Sequence, residues 1–339
     1  MEKNDRERWI VTGAAGHLGS TVVRELTGAG REVYGLLLPG EAPKVSGPTV
    51  RYFTGDVCSP DSMRPLFENA AGRALIVIHT AALISIAEKM PPGLYAVNVE
   101  GVQNILRLCE EYKVERLVQV SSVHAIPELP CGQIMTEPAG FSPDSVVGGY
   151  AKTKAEAAQA VLDAAAAGLN AVIVLPSGIL GPYDRGANHL CQMVAAYLRG
   201  SLPACVAGGY DFVDVRDVAH GCILAAQRGK AGESYILNGR YVTLKELLDA
   251  AGRICGKKPI PVLPVFLAKL AVPWIGLYTR ARHRRPLYTA YSLHTVRCNS
   301  RFSGEKARRA LGYTTRPLET TVRDMVEWLT QNPPPEAAE

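Results

Sequence analysis

The sequence lacks the marks of several protein classes. Its eight cysteines, at 58, 109, 131, 191, 205, 222, 255 and 298, form no CxxC pair and no Cys/His set at ligand spacing. Neither a metal site nor a disulfide framework is expected; reduced thiols are. No secretory leader pattern is visible, which gives the expectation of a cytoplasmic protein. Charge of one sign does not dominate: 37 Lys+Arg stand against 32 Asp+Glu, for a formal net charge of +5. Part of that surplus is RARHRR at 280–285, which accompanies no nucleic-acid motif, so no nucleic-acid partner is expected. Long clean apolar runs are also missing. The nearest, VLPVFLAKLAVPWIGLY at 262–278, is interrupted by Pro264, Lys269 and Pro273 and reads poorly as a membrane span. It reads instead as buried core or dimer contact, as a hydrophobic lid over a greasy substrate, or as an interfacial helix leading into the basic cluster. Membrane contact is the least favoured of the three, and a homodimer is expected. There is no internal repeat and no long low-complexity segment.

What is present is a rhythm. Apolar runs at 9–13, 32–38, 50–56, 74–82, 115–122 and 170–177 are separated by helical patterns near 19–29, 61–70, 94–112 and 150–167. Continuous apolar strands alternating with helices belong to a parallel sheet covered on both faces, a doubly wound α/β fold. After Pro176 the rhythm breaks into short helices and proline-rich loops. The expected division is a domain over 8–180, to which segments near 212–240 return, a smaller C-terminal substrate-binding region over 181–330, and flexible tails at 1–7 and 332–339.

The first run leads into TGAAGHLGSTVVREL, with Gly13, Gly16 and Gly19 at a strand-to-helix turn. Glycines there let the backbone approach a pyrophosphate, and the helix N-terminus supplies N–H donors and positive dipole. Three glycines alone are weak; directly after the first strand of an α/β pattern they point to a dinucleotide. Later strand ends carry small or polar residues where that dinucleotide would lie. Asp56 in GDV (55–57) is offered to an adenine amino group, Thr80, Ala81 and Ala82 are too small to crowd the ligand, and SSV (121–123) presents hydroxyls.

In GGYAKTKAE, 148–156, Tyr150 and Lys154 fall four apart at the start of an alanine-rich helix and so share a face. An ammonium near a phenol favours the phenolate and prepares it to exchange protons near neutral pH. On its own the pair is an ordinary feature of a surface helix. Of the histidines, His124 is placed to face substrate, His79 reads as a core residue in a strand, and His189 as a residue bordering the pocket.

Taken together, TGAAGHLG, GDV, HTAA, NVEGVQNIL (98–106), VSSVHA, YAKTK, LPSGILGP (175–182), FVDVRDVA (212–219) and EKARRALGY (305–313) resemble the extended short-chain dehydrogenase/reductases, the NAD-dependent epimerase/dehydratase superfamily. The resemblance covers nearly the whole chain and is greatest to the dihydroflavonol reductase and 3β-hydroxysteroid dehydrogenase branch. It implies a Rossmann-type sheet, NAD(P), Tyr150 as acid/base, and Lys154 as the group that binds the nicotinamide ribose and lowers the tyrosine pKa. It makes Ser122, rather than Ser121, the serine that holds the reacting oxygen. Asn98 becomes either the organiser of a proton-relay water or a structural bond to backbone. The implied cofactor contacts are Gly13, Gly16, His17, Leu18, Gly19, Leu38, Asp56, Val57, Thr80, Ala81, Ala82, Asn98, Tyr150, Lys154 and Pro176. The implied substrate contacts are Ser85, Ser122, His124, Tyr183, His189 and Tyr210.

Two departures matter. The second strand ends in GLLLPGEAP, with Leu37 and Leu38 where an acid for a ribose hydroxyl or an arginine for a 2′-phosphate is expected, leaving the cofactor as NAD(P) with a lean to NAD. Tyr210 stands where nucleotide-sugar enzymes of the family carry an arginine for a diphosphate. Three functions stay open: an NAD(P)-dependent oxidoreductase interconverting a secondary alcohol and ketone on an apolar ring-bearing small molecule, a nucleotide-sugar 4-epimerase or dehydratase, and a non-catalytic dinucleotide sensor.

Overall fold

The structure is a computed structural model, described here for residues 6–85, 90–184, 188–264 and 295–334. The first half alternates as its apolar rhythm requires: β1 (Glu7–Thr12), α1 (His17–Gly28), β2 (Glu32–Leu37), β3 (Val50–Thr54), α2 (Pro60–Phe67), β4 (Ala74–His79), α3 (Gly101–Glu111), β5 (Arg116–Val120), α4 (Gly149–Ala166) and β6 (Ala171–Pro176). One expectation shifts: β1 begins at Glu7, inside the expected tail. The helix expected from 94 begins there and passes through a π-helical turn at Ala96–Glu100 before α3.

The second half has more regular structure than its proline-rich sequence suggests. It comprises β7 (Gly178–Leu180), α5 (His189–Leu198), β8 (Cys205–Val206), β9 (Gly209–Asp214), α6 (Val215–Arg228), β10 (Ser234–Leu237), β11 (Arg240–Thr243), α7 (Leu244–Ile254), β12 (Val262–Leu263), α8 (Glu305–Leu311) and α9 (Leu318–Gln331). β10 leaves this half and pairs in parallel with β6, so the main sheet has seven strands in the order β10-β6-β5-β4-β1-β2-β3. Every pairing in it is parallel. β7, β9 and β11 form a second sheet and β8 pairs with β12.

Side chains alternate across the main sheet, which is why its central strands are mostly apolar on both faces. Ile10, Val77, Leu117 and Ile173 pack with Ile105 and Leu108 of α3 and Val161 of α4. Trp9, Val11, Ile76, Ile78, Val118 and Val172 face Val22 of α1 and Cys222 of α6. Strand order reverses beside β1, between β2 and β4, and crevices outside the carboxyl ends of strands at such a switch point are where dinucleotides bind. Buried Asp211 joins the halves: its carboxylate accepts from Ser177 Oγ (2.6 Å), Asn238 Nδ2 (3.1 Å) and Gly239 N (2.9 Å).

No helix among the described residues is long and apolar enough to cross a membrane. Most of the apolar stretch 262–278 and all of 280–285 lie outside the described residues, and with them the choice among core, lid and membrane contact.

Candidate active site

The glycine loop fits a dinucleotide by what each position leaves room for. Gly13 has φ +65°, a backbone conformation that disfavours a side chain, and an added Cβ would lie 2.9 Å from Ala81 Cα. A Cβ on Gly19 would fall 2.1 Å from the carbonyl oxygen of Gly13, so that glycine lets α1 press against the turn. Gly16 differs: it is exposed, and a Cβ there would meet nothing within 4 Å but Gly13 O at 3.1 Å. Gly16 caps α1 without a side chain, and the first turn holds no acid, so the helix end presents its N–H groups to an anion.

The neighbouring strand ends close around this loop. Thr80 Oγ1 donates to Thr12 O at 2.6 Å, and Ala81 N donates to Thr12 Oγ1 at 3.3 Å. Asp56 Oδ1 accepts from Cys58 N at 2.9 Å, Val57 is buried, and Pro176 ends β6 within the core. Leu18 is buried on α1, while Leu38 is exposed just past β2. One residue here escaped the sequence reading. The Pro39-Gly40 turn folds Glu41 back, so its carboxylate accepts from Leu38 N at 2.9 Å at the carboxyl end of β2. The turn dipeptide was the available signal.

Tyr150 and Lys154 occupy the first turns of α4, both buried, as the spacing requires. Lys154 Nζ donates to Val120 O at 2.9 Å, fixing the ammonium at the end of β5. Burial lowers its pKa to about 8, so its charge is lost on the alkaline side rather than held throughout. Ser122 follows β5, and its Oγ accepts from His124 N at 3.2 Å. The His124 ring meets the Tyr150 ring edge-on with centroids 5.9 Å apart and stacks on Tyr210 at 5.8 Å. Tyr210 Oη and His124 Nε2 are 3.2 Å apart, a contact between residues 86 positions apart. Burial pushes the His124 pKa down to about 4, so this aromatic group is neutral at physiological pH.

Asn98 sits in the π-helical turn, an element common at functional sites, but its amide serves the scaffold. Its Oδ1 accepts from Leu83 N (2.8 Å), and its Nδ2 donates to Leu83 O (2.9 Å) and Thr153 Oγ1 (3.1 Å). These bonds tie the chain after β4 to α4 beside Tyr150. His79 is fully buried in β4, with Nδ1 2.7 Å from Thr12 Oγ1 and Nε2 without a partner. Burial, and secondarily the Lys154 charge, push its pKa down to about 3.

The remaining expected substrate contacts lie on three different segments. Tyr183 lies between the Arg24 guanidinium, 4.5 Å from its ring centre, and the Trp328 ring at 5.3 Å, on the α1 side of the molecule. His189 is the first residue of α5, and Ser85 lies in the chain after β4; both are half-buried.

A family model described as "NAD dependent epimerase/dehydratase family" matches residues 9–238. The chain is 29% identical over 323 residues to "Sterol demethylase protein B" of Methylococcus capsulatus, covering 94% of this chain and 97% of that one. It is 30% identical over 322 residues to the 4-hydroxy-2-methyl-3-oxo-4-farnesyl-3,4-dihydroquinoline-1-oxide ketoreductase of Stigmatella aurantiaca, covering 91% and 92%. Among solved structures, gox2253 superposes with a TM-score of 0.82 at 31% identity over 97% of this chain and 99% of that one. With a matching family model across most of its length, the chain belongs to the NAD-dependent epimerase/dehydratase family and is an NAD(P)-dependent enzyme of the extended short-chain dehydrogenase/reductase type.

Proposed function

We propose that the protein interconverts a secondary alcohol and a ketone on an apolar, ring-bearing small molecule, using NAD(H) in preference to NADP(H). The observation that carries the substrate class is the apolar rim beside Tyr150. Leu83, Met90 and Val147 are 43%, 46% and 56% exposed. Leu83 is bound through Asn98 to Thr153 of α4, Met90 lies against Gly149, and Val147 immediately precedes the helix. Large apolar side chains gathered around a buried acid/base mark a pocket for an apolar ligand. Burying such a ligand is worth roughly 25 cal/mol per Å² of apolar surface. The names of the sterol and farnesyl-quinoline relatives support the same class.

Tyr150 would exchange a proton with the reacting oxygen and Ser122 would hold that oxygen by a hydrogen bond. Lys154, charged below about pH 8, would favour the phenolate form of Tyr150. The bound nicotinamide supplies the hydride chemistry, with Gly13, Gly16, His17, Leu18 and Gly19 at its pyrophosphate and Asp56, Val57 and Thr80–Ala82 along the dinucleotide. Glu41 favours NAD(H), because a carboxylate at the end of β2 accepts from a ribose hydroxyl and repels a 2′-phosphate. The seven-stranded sheet would then serve the dinucleotide, and the substrate would lie between the apolar rim and Tyr210, which the region after 181 brings to His124.

A panel of steroid-like ketones, flavonoid-like ketones and UDP-hexoses tests this reading. The fused-ring ketones should turn over and protect the protein against heating, and UDP-hexoses should do neither. Turnover confined to UDP-hexoses would overturn it and favour the epimerase alternative.

A further inference from the structure

His17, the first residue of α1, makes an asymmetric pair of contacts. Its Nε2 is 2.8 Å from the carbonyl oxygen of Pro182. A carbonyl only accepts, so Nε2 carries the hydrogen, and in the neutral ring Nδ1 is then a bare lone pair. That Nδ1 is buried and has no partner. The ring stands directly after Gly16, at the helix end that faces the pyrophosphate in the reading above. A neutral imidazole with one unmet nitrogen, next to a place for a dianion, is a group whose protonation changes when that dianion arrives.

We propose that His17 takes up a proton when the dinucleotide binds, and that the imidazolium so formed strengthens a tie from the glycine loop to the chain entering the C-terminal region. The proton comes from solvent and adds to Nδ1; no other bond changes. In the free protein, burial holds the imidazole pKa below its usual value. Asp184, beyond Pro182, and Asp214, the N-cap of α6, pull it upward, and Lys44 pulls it downward. Asp214 is itself engaged by Arg216 and Arg316, and Asp184 exerts the larger upward pull on the ring. Two added negative charges beside a ring whose Nδ1 is buried shift the balance toward the cation.

Once the ring is charged, its Nε2–H bond to Pro182 becomes a charge-assisted one. Pro182 leads into Tyr183, which has φ +73° and is packed by Arg24 and Trp328. Trp328 Nε1 also donates to Asp184 O at 2.8 Å, so the segment 182–184 is gripped from α1 on one side and α9 on the other. Cofactor occupancy thereby tightens the joint between the two halves.

The sign follows from linkage. Binding that takes up a proton weakens as pH rises, over the interval between the pKa of free His17 and that of the complex. The test is calorimetry of NAD binding to the full chain, near pH 7, in two buffers of different ionisation enthalpy. NAD is used because the 2′-phosphate of NADP itself titrates near neutrality. The proposal rests on the cofactor lying in the glycine loop, and the two fail differently: NAD that does not bind overturns both, and binding without proton uptake overturns only the role of His17. The expected result is fractional proton uptake and an affinity that falls by up to about tenfold per pH unit at the steepest point, both absent in His17→Phe. Equal uptake in wild type and His17→Phe would overturn the proposal. If His17→Phe does not fold, an NMR titration of the wild-type His17 ring decides: its pKa should rise on adding NAD, and an unchanged or lowered pKa contradicts the proposal.

Discussion

The cofactor end and the substrate end of this molecule are built on opposite plans. At the glycine loop, the proposed function comes from what is missing: a side chain at Gly13 would collide with Ala81, one at Gly19 with the turn itself, and one at Gly16 would meet only Gly13 O. At Tyr150, the proposed site draws on side chains contributed by distant segments: Ser122 and His124 after β5, Lys154 on α4, Tyr210 on β9. A backbone cradle can be written into a dozen consecutive residues. A side-chain cluster needs the whole fold to assemble it. The difference teaches where substitutions should separate binding from folding and binding from chemistry.

The largest expected effect lies within the glycine loop. Gly19→Val would drive a Cβ to 2.1 Å from Gly13 O and should prevent stable folding, seen as loss of cooperative thermal unfolding. Gly16→Val meets only one atom at 3.1 Å, so it should stay folded while NAD affinity falls at least 100-fold by calorimetry. A Gly16→Val protein with unchanged affinity would leave the loop a structural turn.

Next is Tyr150→Phe, which keeps the ring that packs on His124 and removes only the transferable proton. Turnover should fall by about 10²–10⁴-fold with NAD affinity within twofold of wild type. Substantial residual turnover would move the acid/base role elsewhere.

Acid stability should follow from His79 and His124. Both have folded pKa values depressed by burial, to about 3 and about 4, so in the window from about pH 6.5 downward the unfolded chain binds more protons than the folded one. Stability is therefore lost as pH falls, by about 1.4 kcal/mol per pH unit for each group. Urea unfolding at pH 7 and pH 5 measures it, and a flat profile would show that neither ring is held neutral. His124→Phe should flatten about half of the slope. The mildest effect concerns Lys154: with its pKa near 8, the pH profile of turnover should bend downward above pH 8, where the ammonium is lost.

The same contrast explains what could be read from the sequence. The parallel sheet was legible because strands buried on both faces are apolar at most positions, and the glycine turn because its constraints are local. Tyr150 and Lys154 were legible as a helical pair. The His124–Tyr210 contact was not, since nothing in either segment announces a partner 86 positions away. Asn98 was legible only as two alternatives, and its amide proves to be committed to Leu83 and Thr153. Glu41 is not legible as the acid expected at the end of the second strand, because only the Pro39-Gly40 turn returns its carboxylate to Leu38 N from three residues beyond. Tyr183, expected near substrate, packs between Arg24 of α1 and Trp328 of α9, a contact between segments far apart in the chain.

The central claim is that Ser122, Tyr150 and Lys154 carry out a net redox reaction on an apolar ring-bearing molecule. The most direct test is hydride stoichiometry: reduced nicotinamide followed by absorbance against alcohol formed from a fused-ring ketone. The account predicts one equivalent of reduced cofactor consumed for each alcohol produced, and loss of both signals in Tyr150→Phe. Epimerisation of a UDP-hexose with no net change in cofactor absorbance, and no turnover of fused-ring ketones, would contradict it.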